Sequence, residues 1–453
     1  MGSLNASLAS ALSGLMAEQG ALAATTNNVA NVNTPGYSRE VPVLETSDPV
    51  VMDPLTFGSG VTLQSIESIR DPILESQIQQ ETQTQGQWSA LVSATSQAQV
   101  SFSGGAGDIG TAISNFFDSI NQLSTNPSDL SLRQAVLTAA GNLATAFNTA
   151  ANNLTAQQTS LNTSVVQSVG QINQLTQQIA QLNGQIETLQ NAGESAGTFV
   201  DQRTQLIDQL SSLVDVSVIS SDNTLNLTTA AGTALVAGQQ SFQLSTKLGA
   251  SGAQDIFAQG SDITSTIVSG QLGGTLAARD RQLPGIQSQL DTLASGLANA
   301  VNTVQTSGYD LTGSGVKSSN NLFSGTGAAS LAVAITDPSL IAASSDGTVG
   351  NNGNAEALYA LRNQSLIAGQ SPSQYYSTIV FNVGNAAANA SAEQSASTVT
   401  LQQLNDQRNS VSGVSLDEEA ANMTRYQQAY AASAQIISTI NSMMQTVINM
   451  KVS

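Results

Sequence analysis

Few side chains in this sequence are suited to covalent chemistry. The chain contains no His and no Cys, which removes the usual general bases, the thiol nucleophiles and most zinc ligands. Two acid–base groups remain, Asp201 with Arg203 and Arg279 with Asp280 and Arg281, and we interpret both as surface ion pairs at helical spacing. The lysines lie in separate regions, so a Ser–Lys mechanism has no support. We therefore predict that the protein is not an enzyme and has no catalytic residue, cofactor or metal site.

Composition and charge also exclude several classes of partner. The chain has 12 Lys and Arg against 31 Asp and Glu, a net charge of −19, so nucleic acid and anionic lipid are disfavoured. The first basic residue is Arg39, and no apolar run approaches the roughly 18 residues of a membrane span, so we expect neither a cleaved signal peptide nor membrane insertion. Charged residues make up only 9% of the chain, and the neutral polar residues that replace them favour close packing between subunits.

The first predicted element is an N-terminal helix, and the residues that follow it show where it ends. Residues 27–40 read NNVANVNTPGYSRE. Pro35 presets the first central dihedral angle of a type II turn over Thr34–Tyr37, and Gly36 is able to take the positive φ of the second. The residue before a proline is disfavoured in a helix, so the helix should end by about Asn33.

Both ends of the chain carry apolar rows at seven-residue spacing, which is typical of coiled-coil seams. The N-terminal row consists of Leu8, Leu15, Leu22 and Val29. The C-terminal row consists of Leu416, Met423, Tyr430, Ile437 and Met444. We predict that these rows form the assembly interface and that they become buried only in an assembled ring, because an isolated amphipathic helix is marginal. We interpret the acids Asp417, Glu418 and Glu419 as caps of the last helix.

In the middle of the chain the spacing of the apolar residues changes. A three-four alternation of Ile and Leu from 172 to 189 predicts a long coiled-coil helix, and a second row at 206–214 predicts that it returns as a hairpin. Alternation at two-residue spacing then predicts strands, and helices resume after residue 275. We predict a mainly α fold with three parts: a paired terminal coiled-coil assembly domain (1–60 and 405–453), a helical-bundle body (61–215 and 275–404) and a small β-rich outer domain (216–274).

Four stretches resemble a known family. NNVANVNTPGYSR at 27–39 resembles the N-terminal motif of bacterial flagellar axial proteins, the family of rod, hook and hook-associated proteins, and residues 412–450 resemble their shared C-terminal helix. The stretch FVDQRTQLIDQLSSLVDVSV at 199–218 and residues 273–313 are similar to the hook-associated protein 1 branch. Many members carry a further β insertion late in the chain, and its region here is short, so an outer domain is expected to be reduced or missing.

The resemblance implies a structural protein that joins the hook to the filament. It also implies transient residence in the cytoplasm, export by the flagellar type III apparatus and a final extracellular location. The implied partners are a homo-oligomeric ring, the hook protein, the next hook-associated protein on the filament side and an export chaperone at the C-terminal helix. The alternatives are another axial protein, from hook or rod, and a type III secreted coiled-coil translocator, which the net charge disfavours. An enzyme is disfavoured by the missing His and Cys.

Overall fold

The computed structural model describes residues 2–52, 55–102, 108–221, 224–250, 252–313 and 315–452. The α-helices described are α1 (Gly2–Ala30), α2 (Pro72–Val100), α3 (Ile109–Thr125), α4 (Leu130–Asn191), α5 (Gly197–Leu213), α6 (Gly270–Ala277), α7 (Leu283–Ser307), α8 (Gly353–Ala360), α9 (Pro372–Ser412) and α10 (Leu416–Val452). The strands described are β1 (Glu40–Thr46), β2 (Val50–Met52), β3 (Leu55–Phe57), β4 (Val61–Ser68), β5 (Ser217–Ser221), β6 (Thr224–Thr228), β7 (Ala234–Ala237), β8 (Gln240–Ser241), β9 (Leu244–Leu248), β10 (Gln254–Ala258), β11 (Ser261–Asp262), β12 (Phe323–Ser324) and β13 (Ala332–Val333).

The two terminal helices pack against each other within one chain. The residues of α1 that are buried are mostly small, among them Ala17, Ala21 and Ala24, so α10 and the antiparallel β1–β4 pair approach α1 closely. A Cβ atom at Gly20 would overlap with Leu63 Cδ2 of β4. The predicted mainly α fold with packed terminal helices is confirmed. We expected the two helices to meet only in an assembled ring. They already pack against each other within this single chain, because the small residues of α1 let α10 approach.

The helical body is built around one apolar core. Helix α2 packs along α9, while α3, α4 and α7 enclose a cluster that includes the fully buried Phe116, Phe117 and Phe147. The helix starts have the expected chemistry. Asp129 caps the long α4, and Ser371 with Gln374 forms a capping box at the start of α9. Helix α4 extends over 62 residues and packs against α5, so the predicted helical hairpin is confirmed.

The β-rich insertion contains an antiparallel sheet β5-β6-β7-β8 and a second sheet β11-β10-β9. Its apolar residues share one core with Val165, Ile172 and Ile179 of α4. The carboxamide of Asn173 donates to the backbone oxygen of Leu244 and accepts from its amide, both at 2.8 Å. The predicted strands are therefore present, and they are joined closely to the longest helix.

Arg279 corrects one interpretation made from the sequence. Its side chain is buried, forms an ion pair with Asp280 at 2.7 Å, and donates to Gln254 O at 2.7 Å and Asn162 Oδ1 at 3.1 Å. It lies in a π-helical turn (Ala278–Gln282) between α6 and α7. The interpretation of Arg279 as a surface residue is wrong, because its buried guanidinium joins Gln254 of the insertion to Asn162 of α4.

The segment after α7 is largely irregular. A fully buried arginine of α4, Arg133, holds it in place by donating to Ile341 O, and it also donates at 2.7 Å to Pro127 O just before α4. Burial lowers the pKa of Arg133 to about 10, although Asp310 acts in the opposite direction. The segment is therefore tied to the start of the longest helix through backbone carbonyls.

Candidate assembly site at the terminal helix pair

The chain that leaves α1 folds back on the last turns of that helix. Asn28 is buried, and its carboxamide pairs with the backbone of Glu40 in both directions at 2.8 Å. The same oxygen accepts from the Tyr37 hydroxyl at 2.9 Å. Neighbouring Asn27 donates to the Glu40 carboxylate at 3.0 Å. Asn28 therefore satisfies both backbone groups of Glu40 at the start of β1, and Asn27 holds the Glu40 carboxylate.

The turn that follows has the predicted type II geometry. Gly36 has a φ of +77°, and the Tyr37 amide donates to Thr34 O at 3.2 Å. The turn docks on α5, where the Gln205 carboxamide donates to Pro35 O. A Cβ atom at Gly36 would lie 2.9 Å from Gln205 Nε2. Glycine is thus favoured here by its backbone conformation, and the flexible Gln205 side chain would have to shift to admit a Cβ atom.

We expect Gly36→Val to detach this turn from α5. A β-branched residue at positive φ costs on the order of 1 to 3 kcal/mol, and the new side chain also meets Gln205. Hydrogen exchange of the Tyr37 amide should become faster. Gly36→Asn serves as the matched control, since asparagine tolerates this conformation better, and it should have a smaller effect. Equal protection in wild type and Gly36→Val would contradict the type II assignment.

A buried polar clamp joins the turn to the body. The Ser38 amide donates to Asp201 Oδ2 at 3.1 Å, and the Ser38 hydroxyl donates to Asp201 Oδ1 at 2.8 Å. Arg70 completes it with an ion pair to Asp201 at 2.7 Å and a hydrogen bond to Gly197 O at 3.0 Å. We call Ser38, Arg70 and Asp201 the clamp. The clamp joins three parts of the chain: Ser38 after the turn, Arg70 after β4, and Asp201 in α5.

The clamp corrects the sequence interpretation of Asp201 and Arg203 as a surface pair. Asp201 is only 6% exposed, and its cationic partner is Arg70. Arg203 donates instead to Asn183 Oδ1 at 2.9 Å. Burial lowers the pKa of Arg203 to about 10, and nearby Arg70 adds to this effect. The two residues therefore serve separate contacts, so the interpretation of a surface pair is wrong.

Arg39 connects the same segment to the start of α10. Its guanidinium lies 2.6 Å from Glu418 Oε2 and 2.8 Å from Glu419 Oε1, the second contact being an ion pair without hydrogen-bond geometry. The Arg39 amide also donates to Ser412 O at 2.9 Å. Interpreting these two acids as helix caps missed this pairing, since nothing in the local sequence indicates a partner so far away.

Tyr37 lies at the centre of this arrangement. Burial raises the pKa of its hydroxyl, and the carboxylates of Glu40, Asp201 and Glu419 raise the pKa further. The hydroxyl therefore stays protonated and donates to Asn28 at ordinary pH.

A second polar cluster lies where α2, α5 and α9 meet. Asp208 of α5 faces Glu75 and Gln79 of α2 and Arg408 of α9. Burial raises the pKa of Asp208 to about 7, with a further increase from Glu75 and opposing effects of Arg408 and Gln79. Burial also raises the pKa of Glu75, whose carboxylate lies 4.0 Å from Arg408. The two acids therefore share Arg408, while Arg70 also acts on Glu75.

We expect Asp208→Asn to stabilise the protein at neutral and alkaline pH. Because the folded-state pKa lies above the unfolded value of about 3.9, the wild type loses stability as pH rises from about 4 to 7. The variant lacks this loss and should gain about 2 to 4 kcal/mol at pH 8. Chemical unfolding measured at pH 4.5 and pH 8 tests the difference. The exposed Asp406→Asn of α9 is the control, and an equal gain there would contradict the assignment.

The predicted seam residues occupy the flanks of the helix contact. On α1 the predicted row is half-buried throughout. On α10, Met423, Ile437 and Met444 are half-buried, whereas Leu416 is 53% and Tyr430 38% exposed. A seven-residue row drifts by about 20° per heptad around a straight helix, so its members cannot all face α1. Whether these residues form the interface between subunits stays a prediction.

A further apolar strip on α10 has no cover within one chain. It consists of Ile436, Met443, Val447 and Met450, which are 51%, 51%, 37% and 75% exposed. These positions share one face because their spacing is seven, four and three residues. On α1, Leu12 and Met16 are 44% and 60% exposed. A surface of this kind marks a contact site on a soluble protein.

The described residues contain no group of three or more carboxylates placed to hold a metal ion. Their helices also include none with the length and apolar character to cross a bilayer.

Family models match three parts of the chain. The helical domain of the flagellar hook-associated protein FlgK matches residues 95–323. The flagella basal body rod protein model matches residues 8–37, and the C-terminal model of the basal body rod FlgEFG proteins matches residues 406–450. The two terminal matches fall on α1 with its turn and on the end of α9 with α10, and so include the exposed residues Leu12 and Met16 and the apolar strip of α10.

Individual relatives agree with these matches. The chain is 27% identical over 541 positions to flagellar hook-associated protein 1 of Escherichia coli (strain K12), covering 97% of this chain and 99% of the relative. It is 29% identical over 489 positions to the protein of the same name from Bacillus subtilis (strain 168), covering 96% of each. Both alignments exceed 453 positions, so both relatives contain residues that this chain lacks. The hook junction protein FlgK of Burkholderia pseudomallei shares the fold, with a TM-score of 0.67 at 19% identity over 74% of this chain and all of that one.

Proposed function

The chain belongs to the family of the flagellar hook-associated protein FlgK, and from this membership we propose that it assembles as a ring at the junction between hook and filament. It is a structural component of the flagellum and not an enzyme. The observation that carries the ring is the exposed apolar strip of α10, from Ile436 to Met450. An exposed apolar row of this kind is typical of a contact site for another protein surface.

Each of the three parts of the chain has a separate role in this proposal. Residues 1–60 and 405–453 form the assembly domain, with the seams on α1 and α10 facing neighbouring copies. Residues 61–215 and 275–404 form the body, and residues 216–274 form the outer domain. The clamp and the Arg39 ion pairs support this proposal, because they fix the direction in which the terminal pair leaves the body.

The partners follow from the same surfaces. On the hook side the ring contacts the hook protein, and on the filament side it contacts the next hook-associated protein. Before export the apolar strip of α10 requires cover in the cytoplasm, so an export chaperone binds the C-terminal helix there. The assembled protein is extracellular, as the tip of the hook requires.

Imaging of isolated hooks tests this proposal. Hooks from a strain that lacks the protein should end without the junction layer and without a filament. Adding the purified full-length chain should restore a layer of regular density at the hook tip. Hooks that bind none of it, or a density along the rod or throughout the hook, would point to another axial role.

A further inference from the structure

The two terminal helices carry one charged side chain each along most of their length. Glu18 is the only charged side chain in residues 1–38, and Arg425 is the only one in residues 420–450. The two side chains have opposite sign, and they lie on helices that pack against each other. Opposite charges on paired helices are a known means of fixing the orientation and the alignment of the pair.

The two helices run antiparallel. Ser433 of α10 lies beside Gly14 of α1, where an added Cβ atom would be 3.5 Å from the Ser433 hydroxyl oxygen. At the other end, the ion pairs of Arg39 hold the start of α10 near the end of α1. Counted from the contact of Gly14 with Ser433, Arg425 lies about one helical turn from the position opposite Glu18.

The carboxylate of Glu18 is partly withdrawn from water. Its side chain is half-buried, and Oε2 is buried without a hydrogen bond from any described residue. Burial raises the pKa of Glu18, and the positive charge of Arg425 opposes this increase. Arg425 is exposed, and its Nη2 donates to the Tyr426 hydroxyl at 3.0 Å. The charges of Glu18 and Arg425 therefore act on each other through space.

The apolar part of the helix contact defines the alignment only weakly. The buried residues of α1 include Ala17, Ala21 and Ala24, which are spaced by four and three residues. A displacement of the middle of α10 by one turn would therefore meet similar small side chains. If it moved Arg425 away from Glu18, the same displacement would add about 5.4 Å to the separation of the two charges. The partly buried carboxylate would then lose the cation that acts on it.

We propose that Glu18 and Arg425 are positioning residues that hold the middle of α10 in register with α1. They complement the Arg39 ion pairs, which act only at the start of α10. The register of the two helices in turn determines where the exposed apolar strip of α10 lies relative to α1. This role belongs to the single chain, so it does not depend on the proposed ring.

The absence of cysteine allows a direct test in the free full-length chain. Gly14→Cys with Ser433→Cys places two thiols at a separation suited to a disulfide bond, and mild oxidation should cross-link this reporter within one chain. Adding Arg425→Glu should slow the cross-linking by roughly threefold or more, as expected when a partly exposed ion pair is replaced by two like charges. A reporter that failed to cross-link without this change would show that the alignment is wrong, and the proposal would fail with it.

An exchange of the two charges separates an electrostatic role from a purely structural one. Glu18→Arg combined with Arg425→Glu restores opposite charges, so it should restore the rate of cross-linking. Gln19→Arg combined with Arg425→Glu is the matched control, because exposed Gln19 lies about 100° from Glu18 around α1. The control should not restore the rate. Unchanged cross-linking in Arg425→Glu, or equal rescue by the two arginine substitutions, would overturn the proposal.

Discussion

Asp201→Ala is expected to release the chain that follows α1 from the body. The substitution removes both acceptors of Ser38 and leaves Arg70, whose side chain is only 19% exposed, without its carboxylate. Removing one partner of a buried ion pair typically costs 3 to 5 kcal/mol, and we expect about 3 kcal/mol because Arg70 retains Gly197 O. The terminal helices should then lose their fixed direction. Hydrogen exchange of the Ser38 amide should become faster, and incorporation at hook tips should be largely lost.

The Arg39 contact provides the matched control. Glu418 is an exposed partner of Arg39, with 60% of its side chain accessible. Exposed pairs contribute about 1 kcal/mol or less, and Glu419 remains in place. Glu418→Gln should therefore incorporate almost normally. If both substitutions reduced incorporation equally, the effect would reflect charge near the turn and not the buried clamp.

This difference between the two contacts shows what the sequence was able to predict. The helices, the hairpin and the strands follow from local periodicity, and the turn at Gly36 follows from the chemistry of Pro-Gly. The clamp does not, because Ser38 and Asp201 are separated by 163 residues. An ion pair leaves no periodic pattern in the sequence. The pairing of Arg39 with Glu418 therefore could not be predicted before the fold was known.

The terminal helices show a second limit. A seven-residue period correctly indicated that α1 and α10 pack, but it assigned one face to each helix. On α10 the side chain buried most deeply near its end is Ile440, and the exposed strip begins at Ile436. The apolar surface is therefore wider than one seam. Sequence alone could not divide it between the partner within the chain and other partners, because that division depends on how closely the small residues of α1 let α10 approach.

Ile436→Asp is expected to abolish incorporation while leaving the free chain folded. Ile436 is 51% exposed, so an aspartate there meets water in the monomer. In the proposed ring the same position is covered. Burial of one such side chain contributes roughly 1.5 to 3 kcal/mol, and an unpaired carboxylate adds a desolvation cost. Each copy in the ring bears this loss. Thermal unfolding of the monomer should be almost unchanged, whereas sedimentation of the protein with hooks should be lost.

Two further variants on α10 make the test specific. Ile440 is 6% exposed within the chain, so Ile440→Asp should separate α10 from α1 and speed hydrogen exchange in the free monomer as well. Gln435 is an exposed neighbour of Ile436, and it lies about 100° away from Ile436 around the helix, beside the apolar strip and outside it. Gln435→Asp carries the same charge as Ile436→Asp and should incorporate normally. Normal incorporation of Ile436→Asp would mean that the strip stays exposed in the assembled flagellum, and the proposed ring contact would then have to lie on another face of the helix.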